Sequence, residues 1–446
     1  MNKNIAIVGF MGSGKSRAAR TLGGVDTDAL VEVAAGKTIP KIFGDEGEAV
    51  FRALEEETVV AALGGGAVTS PRVREALAGS LTIWLDVDAD TCWQRVKNSN
   101  RPLARDEAEF RRLYEERRKL YAEVADVVAK DVTDVVLAVA GVVVERGALE
   151  RLAELVPGDG PVALVSDPHV AGIHGATAQL ALGPRLTETH ELPPGEEAKT
   201  LAAVARLWEE LRLGREGAIV ALGGGCTTDA AGFAAATYLR GVPWVPVPTS
   251  LVAQVDAAIG GKTAIDLPQA KNLVGAFHWP ARTVIDPALL ETLSEAQRLE
   301  GMAEVVKTGL LAGESLWELP DDELVRRCAA YKAAVCLRDP EDKGERKMLN
   351  LGHTFAHALE AAAGFEGLTH GRAVALGLLA ALRLSGRDTA VVDELLHPQP
   401  VRVDRDRAWE ALLRDKKGAL KLVLLKGWDV EVPAEDVRRE LDRLIA

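Results

Sequence analysis

Hydrophobic and polar positions change period several times along this chain, and each change marks an element. Ile5–Val8 is a short apolar run that ends at a glycine-rich turn, and from Lys15 onward the spacing becomes helical. Leu81–Leu85, bounded by Gly79 and Asp86, has the pattern of a second buried strand. Residues 105–128 combine helical spacing with dense charge, which predicts a surface helix. The turn-rich stretch Val156-Pro-Gly-Asp-Gly-Pro161 reads as a linker. Beyond it, 162–165, 218–222 and 244–247 are unbroken apolar runs alternating with helical stretches, as parallel strands buried on both faces require. After about Asp286, glycine turns thin out and alanine- and leucine-rich amphipathic segments continue to residue 446. The pattern predicts three parts. Residues 1–155 form an α/β unit, a parallel sheet with flanking helices. Residues 156–285 form a Rossmann-like α/β domain, and 286–446 a mainly α-helical one.

Composition narrows the function. A chain of 446 residues is too long for one ordinary core, and 48% hydrophobic with 27% charged residues describes a globular protein. The net charge of −13 removes the basic face that nucleic-acid binding needs, so no such partner is expected. The apolar stretch Val135–Val144 is too short to cross a bilayer, and the first apolar run leads into a glycine loop, not a cleavage site. Cys92, Cys226, Cys328 and Cys336 include no C-x-x-C pair, which predicts reduced thiols. A cytoplasmic protein with no membrane partner is expected.

Two sets of motifs carry chemistry. Gly9-Phe-Met-Gly12-Ser-Gly14-Lys15-Ser16 satisfies G-x-x-x-x-G-K-[ST], with a strand before it and a helix after it. Backbone N–H groups of such a loop cradle phosphates, Lys15 reaches the β and γ phosphates, and the Ser16 hydroxyl holds Mg2+. The second set lies downstream. Asn350-Leu-Gly-His353-Thr-Phe-Ala-His357 joins Glu304-Val-Val-Lys307 and Thr369-His370-Gly371 to offer histidines and a carboxylate for one divalent metal. His357 follows His353 by one helical turn and so shares its face. Gly223-Gly224-Gly225-Cys-Thr-Thr-Asp229 is a dinucleotide-type turn.

Residues 1–135 resemble shikimate kinase. The resemblance rests on the phosphate loop, Asp26-Thr-Asp28, Phe51-Arg52, Gly64-Gly65-Gly66, Arg101-Pro-Leu103 and Arg117-x-x-Leu-Tyr121, in that order. It implies that Arg52 and Arg117 grip the shikimate carboxylate and that Asp28 orients the attacking hydroxyl. Asp26 would sit near Mg2+, Gly65 and Gly66 would let backbone approach the ring, and Arg101 would neutralise charge on the ATP phosphate in transfer. The segments before Asp26 and between Arg52 and Gly64 are short for that family, which motivates a second reading, a non-catalytic nucleotide-binding module.

From Asp167 to Lys417 the motif order resembles 3-dehydroquinate synthase. Its carriers are Pro194-Gly-Glu196-Glu-Ala-Lys199, Gly223–Asp229, Ala235–Arg240, Pro248-Thr249-Ser250, Val255-Asp256, Gly260-Gly-Lys262-Thr, Lys271-Asn272, the Glu304/Lys307 segment and Asn350–His357. The resemblance implies that Glu304, His353 and His370 bind Zn2+ (or Co2+), with His357 a base or proton shuttle. NAD would lie on Gly224 and Gly225, near Asp229, Thr249, Ser250, Lys271 and Thr292, with Asp167, Glu196 and Lys199 at the adenosine end. The substrate, the sugar-acid phosphate DAHP, would meet Arg240, Asp256, Lys262, Asn272, Lys307, Lys332, Arg346, Asn350 and His357, with Lys416 or Lys417 closing over it. Asp342 stands where glutamate is usual as a proton acceptor, His169 where asparagine is usual, and Arg372 follows His370 where a smaller or acidic residue is common. The implied chemistry is a hydride lent to NAD and returned, with phosphate lost by elimination in between. A homodimer through the synthase part is among the expected assemblies. A polyol dehydrogenase of similar body is a further reading, against which the Gly-Gly-Lys-Thr and Asn350–His357 motifs and the density of lysines argue.

Overall fold

The computed structural model describes residues 4–26, 60–99, 102–267, 270–364, 367–414 and 420–446. They fall into two compact units, Met1–Ala140 and Gly141–Ala446.

The first unit contains β1 (Ile5–Val8), α1 (Lys15–Thr21), β2 (Val25–Asp26), β3 (Val60–Ala62), α2 (Pro71–Leu77), β4 (Leu81–Leu85), α3 (Ala89–Val96), α4 (Glu107–Val124), β5 (Val127–Ala129) and α5 (Val132–Ala140). The strands form one parallel sheet in the order β2-β3-β1-β4-β5. β1 is central and buried at all four positions, which its unbroken apolar run anticipates. Asp88 and Asp106 accept backbone N–H bonds at the starts of α3 and α4, fixing where each helix begins. Phe10 packs edge-on against Phe110 and Tyr114 of α4 and so ties the loop after β1 to the core.

The second unit starts with β6 (Val142–Val144), which pairs in parallel with β13 (Thr283–Ile285). A four-stranded parallel sheet follows, in the order β10-β9-β7-β8: β7 (Val162–Ser166), β8 (Leu186–Glu191), β9 (Ala218–Gly223) and β10 (Trp244–Pro248). Helices α6 (Ala176–Leu182), α7 (Leu201–Glu210) and α8 (Gly225–Thr237) connect it. β11 (Lys262–Leu267) and β12 (Ala270–Phe277) form an antiparallel pair. Then come α9 (Glu295–Ala312), α10 (Asp321–Arg338), α11 (His353–Ala362), α12 (His370–Leu384), α13 (Ala390–Leu396), α14 (Arg405–Arg414), β14 (Lys421–Leu424), β15 (Gly427–Glu431) and α15 (Ala434–Arg443). The middle of this helical part is α12, buried from Ala373 through Leu382.

One expectation needs correction. The turn-rich stretch 156–161 lies inside the second unit, because Val142–Val144 already belong to it through β13. The C-terminal part is mainly helical, as expected, and adds one antiparallel strand pair, β14–β15. Among the described residues, no helix is long and apolar enough to cross a membrane.

Candidate active sites

The three predicted metal ligands converge. Glu304 comes from the middle of α9, His353 from the first position of α11 and His370 from the first position of α12. One ligand atom from each lies within 4.8 Å of the others. Glu304 Oε1 is 3.5 Å from His353 Nε2 and 3.3 Å from His370 Nε2. Glu304 is fully buried, and a buried carboxylate needs compensation. Lys307, one turn along α9, pairs with its Oε2 and sits 3.6 Å from Asp256 Oδ1. Lys332 of α10 reaches that same Asp256 oxygen at 2.8 Å. Burial raises the Glu304 carboxyl, but Lys307 and the two histidines hold it well below the usual range. Burial lowers His370, yet hydrogen bonds to Glu304 and Glu360 push it up to about 10. A pocket that favours positive charge this strongly has the donor set for a divalent cation, with two imidazoles and one carboxylate and, among the described residues, no fourth protein ligand. The residues fit the implied metal.

The glycine turn lies at the C-terminal end of β9, where Gly224 precedes the first residue of α8. A parallel strand ending in glycines at a helix N-terminus is the arrangement for a dinucleotide pyrophosphate. A Cβ on Gly224 would lie 3.6 Å from Ser250 Oγ, and one on Gly225 3.4 Å from the Ala257 Cβ, so the segment leading to Asp256 runs beside the turn. The Thr249 N–H donates to Gly223 O at 3.0 Å. Beyond the turn is a charged network. Lys199 donates to Asp229 Oδ2 at 2.7 Å and to Asn272 Oδ1, and Lys271 donates to Glu196 Oε1 at 2.6 Å. Burial pushes Asp229 above the usual carboxylate range despite Lys199. Asp167 caps the short helix after β7 and approaches Thr227 Oγ1 at 3.4 Å. The residues fit the implied dinucleotide.

Lys262, at the start of β11, is paired with Asp342 Oδ2 at 2.5 Å. Arg346 is buried, and its Nη1 and Nη2 donate to Pro340 O at 3.0 Å and Gly260 O at 2.8 Å. Its guanidinium also lies 5.6 Å from the Phe277 ring centroid. Asn272 and Asp342 both have left-handed backbone, at φ 56° and 58°. His357 is exposed, its ring 5.5 Å from that of His353. Arg240 is exposed, and Thr292 Oγ1 meets His174 Nε2 at 3.1 Å.

In the first unit the phosphate loop joins β1 to α1. Gly12 and Gly14 have φ of 83° and 105°, the region glycine adopts without strain. A Cβ on Gly12 would lie 2.7 Å from Cys92 O, so the loop sits tightly on α3. Lys15 is buried and donates to Phe10 O at 3.0 Å across the loop. Arg117 donates to Gly65 O at 3.0 Å, and its guanidinium lies 5.8 Å from the Phe10 ring. A Cβ on Gly66 would be 3.6 Å from Arg117 Nη2, which brings this glycine turn, Arg117 and the phosphate loop together.

Comparison with known proteins decides the family. Residues 11–146 match shikimate kinase, 189–300 match the 3-dehydroquinate synthase N-terminal family and 301–417 the C-terminal one. A bifunctional shikimate kinase/3-dehydroquinate synthase of Thermotoga maritima is 33% identical, over 96% of this chain and 95% of that one. The chain belongs to this bifunctional family. It is an enzyme with a shikimate kinase unit followed by a 3-dehydroquinate synthase unit. The 3-dehydroquinate synthase of Latilactobacillus sakei is 43% identical over 52% of this chain and 70% of its own length. Among solved structures, a 2-deoxy-scyllo-inosose synthase complexed with carbaglucose-6-phosphate, NAD+ and Co2+ matches with a TM-score of 0.60 at 26% identity, covering 68% of this chain and 95% of that one. A 2-epi-5-epi-valiolone synthase from Streptomyces hygroscopicus with NAD+ and Zn2+ bound matches at 0.58 and 26%, over 68% and 94%.

In the kinase unit, Asp28, Arg52 and Arg101 lie outside the described residues, as does the side chain of Asp26. Lys416 and Lys417 of the synthase unit do too. Several residues to which the sequence assigned no role also shape these sites. Tyr121 donates to Gly65 O at 2.5 Å beside Arg117. Arg95 of α3 donates to the loop carbonyls of Gly12 and Ser13 at 3.0 and 3.3 Å. Glu360 approaches His370 Nδ1. Of these, Glu360 carries a sequence signal: with His353 and His357 it completes an i, i+4, i+7 row on α11.

Proposed function

We propose that residues 1–140 transfer a phosphoryl group from ATP to shikimate with Mg2+, and that residues 141–446 convert DAHP to 3-dehydroquinate and phosphate with NAD and one divalent cation. The observation that carries the synthase assignment is the closure of Glu304, His353 and His370 on one point next to the Lys307–Asp256–Lys332 chain. When bound, the cation supplies Lewis acidity toward a ring alcohol and the nicotinamide a reversible hydride acceptor.

The chain's own residues do the rest. Glu304, His353 and His370 hold the cation. Gly224 and Gly225 leave room for the pyrophosphate at the start of α8, and Lys199 and Lys271, already paired to Asp229 and Glu196, line the nucleotide side with Asp167, Thr249, Ser250 and Thr292. Lys262 presents an ammonium held by Asp342, to which the substrate phosphate or carboxylate can be exchanged for the aspartate. Arg346 fixes the Gly260 turn that leads to Lys262 and would supply charge complementary to the substrate carboxylate or phosphate. Asp256, Lys307 and Lys332 orient hydroxyls, together with Arg240, Asn272 and Asn350. Exposed His357 is placed to move a proton beside the metal ligands, and Asp342 is the second acceptor. Lys416 or Lys417 closes over the substrate.

In the kinase unit, loop N–H groups and Lys15 bind the phosphates and Ser16 holds Mg2+ with Asp26 nearby. Arg117 and Arg52 bind the shikimate carboxylate against the Gly65–Gly66 turn, Asp28 orients the hydroxyl, and Arg101 neutralises charge on the transferring group.

A paired assay tests both halves: phosphate release from DAHP with trace NAD and zinc, and ADP formation with shikimate, ATP and Mg2+. Lys15→Ala should abolish only ADP formation, and Glu304→Gln only phosphate release. Phosphate release without shikimate-dependent ADP would reduce the first unit to a nucleotide-binding module. Stoichiometric accumulation of NADH would sink the synthase mechanism.

A further inference from the structure

The His370 ring is gripped at both nitrogens. Nε2 lies 3.3 Å from Glu304 Oε1, and Nδ1 lies 3.4 Å from Glu360 Oε1. His353 shows the same arrangement built from backbone. Its Nδ1 faces Leu351 O at 3.2 Å, while its Nε2 faces Glu304 at 3.5 Å. A neutral imidazole has one N–H, and a ring that donates through Nδ1 offers the Nε2 lone pair to a cation. Both rings therefore turn the same nitrogen toward Glu304.

Glu360 is only 4% exposed. His370 is its ion-pair partner, and the nearby His357 and Lys271 also favour its charged form. Burying a carboxylate without compensation is costly, so this one is held in place by the ring it faces. The backbone that carries His370 is anchored as well. Glu300, one turn before Glu304 on α9, accepts from Thr369 Oγ1 at 2.6 Å and from the Gly371 N–H at 2.7 Å. These are the residues on either side of His370. A Cβ on Gly371 would lie 2.4 Å from Glu300 O, so the contact between α9 and α12 leaves no room for a side chain there.

We propose that Glu360 is a positioning residue of the metal site, fixing the tautomer and plane of the His370 ring, while Glu300 fixes the backbone from which that ring projects. The inference rests on Glu304, His353 and His370 being metal ligands. Carboxylate partners of ligating histidines typically carry about 10–100-fold in metal affinity.

The test uses the full chain stripped of metal. Co2+ affinity is measured by competition with a chelator, and the visible spectrum of bound Co2+ reports its geometry. Glu360→Ala should weaken Co2+ about 10–100-fold and change the spectrum. Glu360→Gln keeps a hydrogen-bond acceptor and should recover most of the affinity. Glu300→Ala should weaken Co2+ with the Glu360 contact intact. Thermal unfolding of the stripped protein separates a folding defect, which would lower Tm without altering the Co2+ spectrum of the folded fraction. Glu360→Ala indistinguishable from wild type overturns the proposal, and so do equal losses in the Ala and Gln variants, since charge and not ring geometry would then be acting. His370→Ala is the control: if it binds Co2+ like wild type, the metal reading itself has failed.

Discussion

A single buried ammonium decides whether the synthase site can exist without its cation. Lys307, 1% exposed, stands between Glu304 and Asp256, and Lys332 completes a chain of two cations and two carboxylates. Lys307→Met removes one charge and leaves two carboxylates with too little compensation. Breaking a buried pair from one side costs about 3–5 kcal/mol, so the metal-free variant should lose that much stability in denaturant titration. Zinc should restore part of the loss, because it places positive charge against the same Glu304. Burial raises Asp256, but Lys307 and Lys332 bring it below its ordinary value. A depressed folded-state value means its stabilisation is present above the usual carboxylate range, near pH ~4, and fades as pH falls through the folded value. The difference between wild type and Lys307→Met should shrink in acid accordingly. A loss within the ~0.5 kcal/mol of a surface substitution, unaffected by zinc, would show that Lys307 does not balance this site. At this scale the ligand set was readable because glutamate and histidines recur in long motifs. Glu300 was not, since it looks like an ordinary helical glutamate until α12 is packed against α9, and Glu360 showed only as the third member of an i, i+4, i+7 row on α11.

Helix α9 carries Glu300, Glu304 and Lys307 on successive turns, so its placement sets the site. Gly301 lets it approach the segment after β10: a Cβ there would lie 2.4 Å from Leu251 Cβ. Alanine favours an isolated helix over glycine by about 1 kcal/mol. Overpacking typically costs about 1–3 kcal/mol and shifts backbone. The overlap should win, so Gly301→Ala should destabilise the synthase unit and reduce phosphate release from DAHP while ADP formation is untouched. A variant more stable than wild type with full synthase activity would mean that the contact yields freely. The buried parallel strands β7, β9 and β10 were legible as apolar runs because both faces are covered. The β11–β12 pair was not. Its strands carry Lys262, Asp266, Lys271 and Asn272, polar positions set by the site and not by a core. The β14–β15 pair was hidden too, since Lys421–Leu424 has the leucine and lysine content of a helix.

For the whole molecule, the sharpest question is where the synthase unit begins. Sequence placed the boundary at the proline- and glycine-rich stretch 156–161, because turn residues are the usual sign of a linker. Tertiary pairing moves it back to Gly141. Val142–Val144 pair with Thr283–Ile285, and the buried Asp286 accepts from Gly147 N at 3.0 Å and Leu149 N at 3.1 Å. Ala148, Leu149 and Leu152 then pack into the core formed with β7 and β9. A chain beginning at Val156 would lose the strand, those apolar side chains and two of the N–H donors to a buried carboxylate. Each unmet buried partner costs about 1–3 kcal/mol, before the lost core is counted. A truncated chain covering 141–446 should therefore unfold in one cooperative transition and release phosphate from DAHP. One covering 156–446 should melt well below it or be recovered insoluble. The two are compared by calorimetry and by phosphate release under identical zinc and NAD. Equal melting temperatures would show that residues 141–155 add nothing to the synthase core and would return the boundary to the turn-rich stretch.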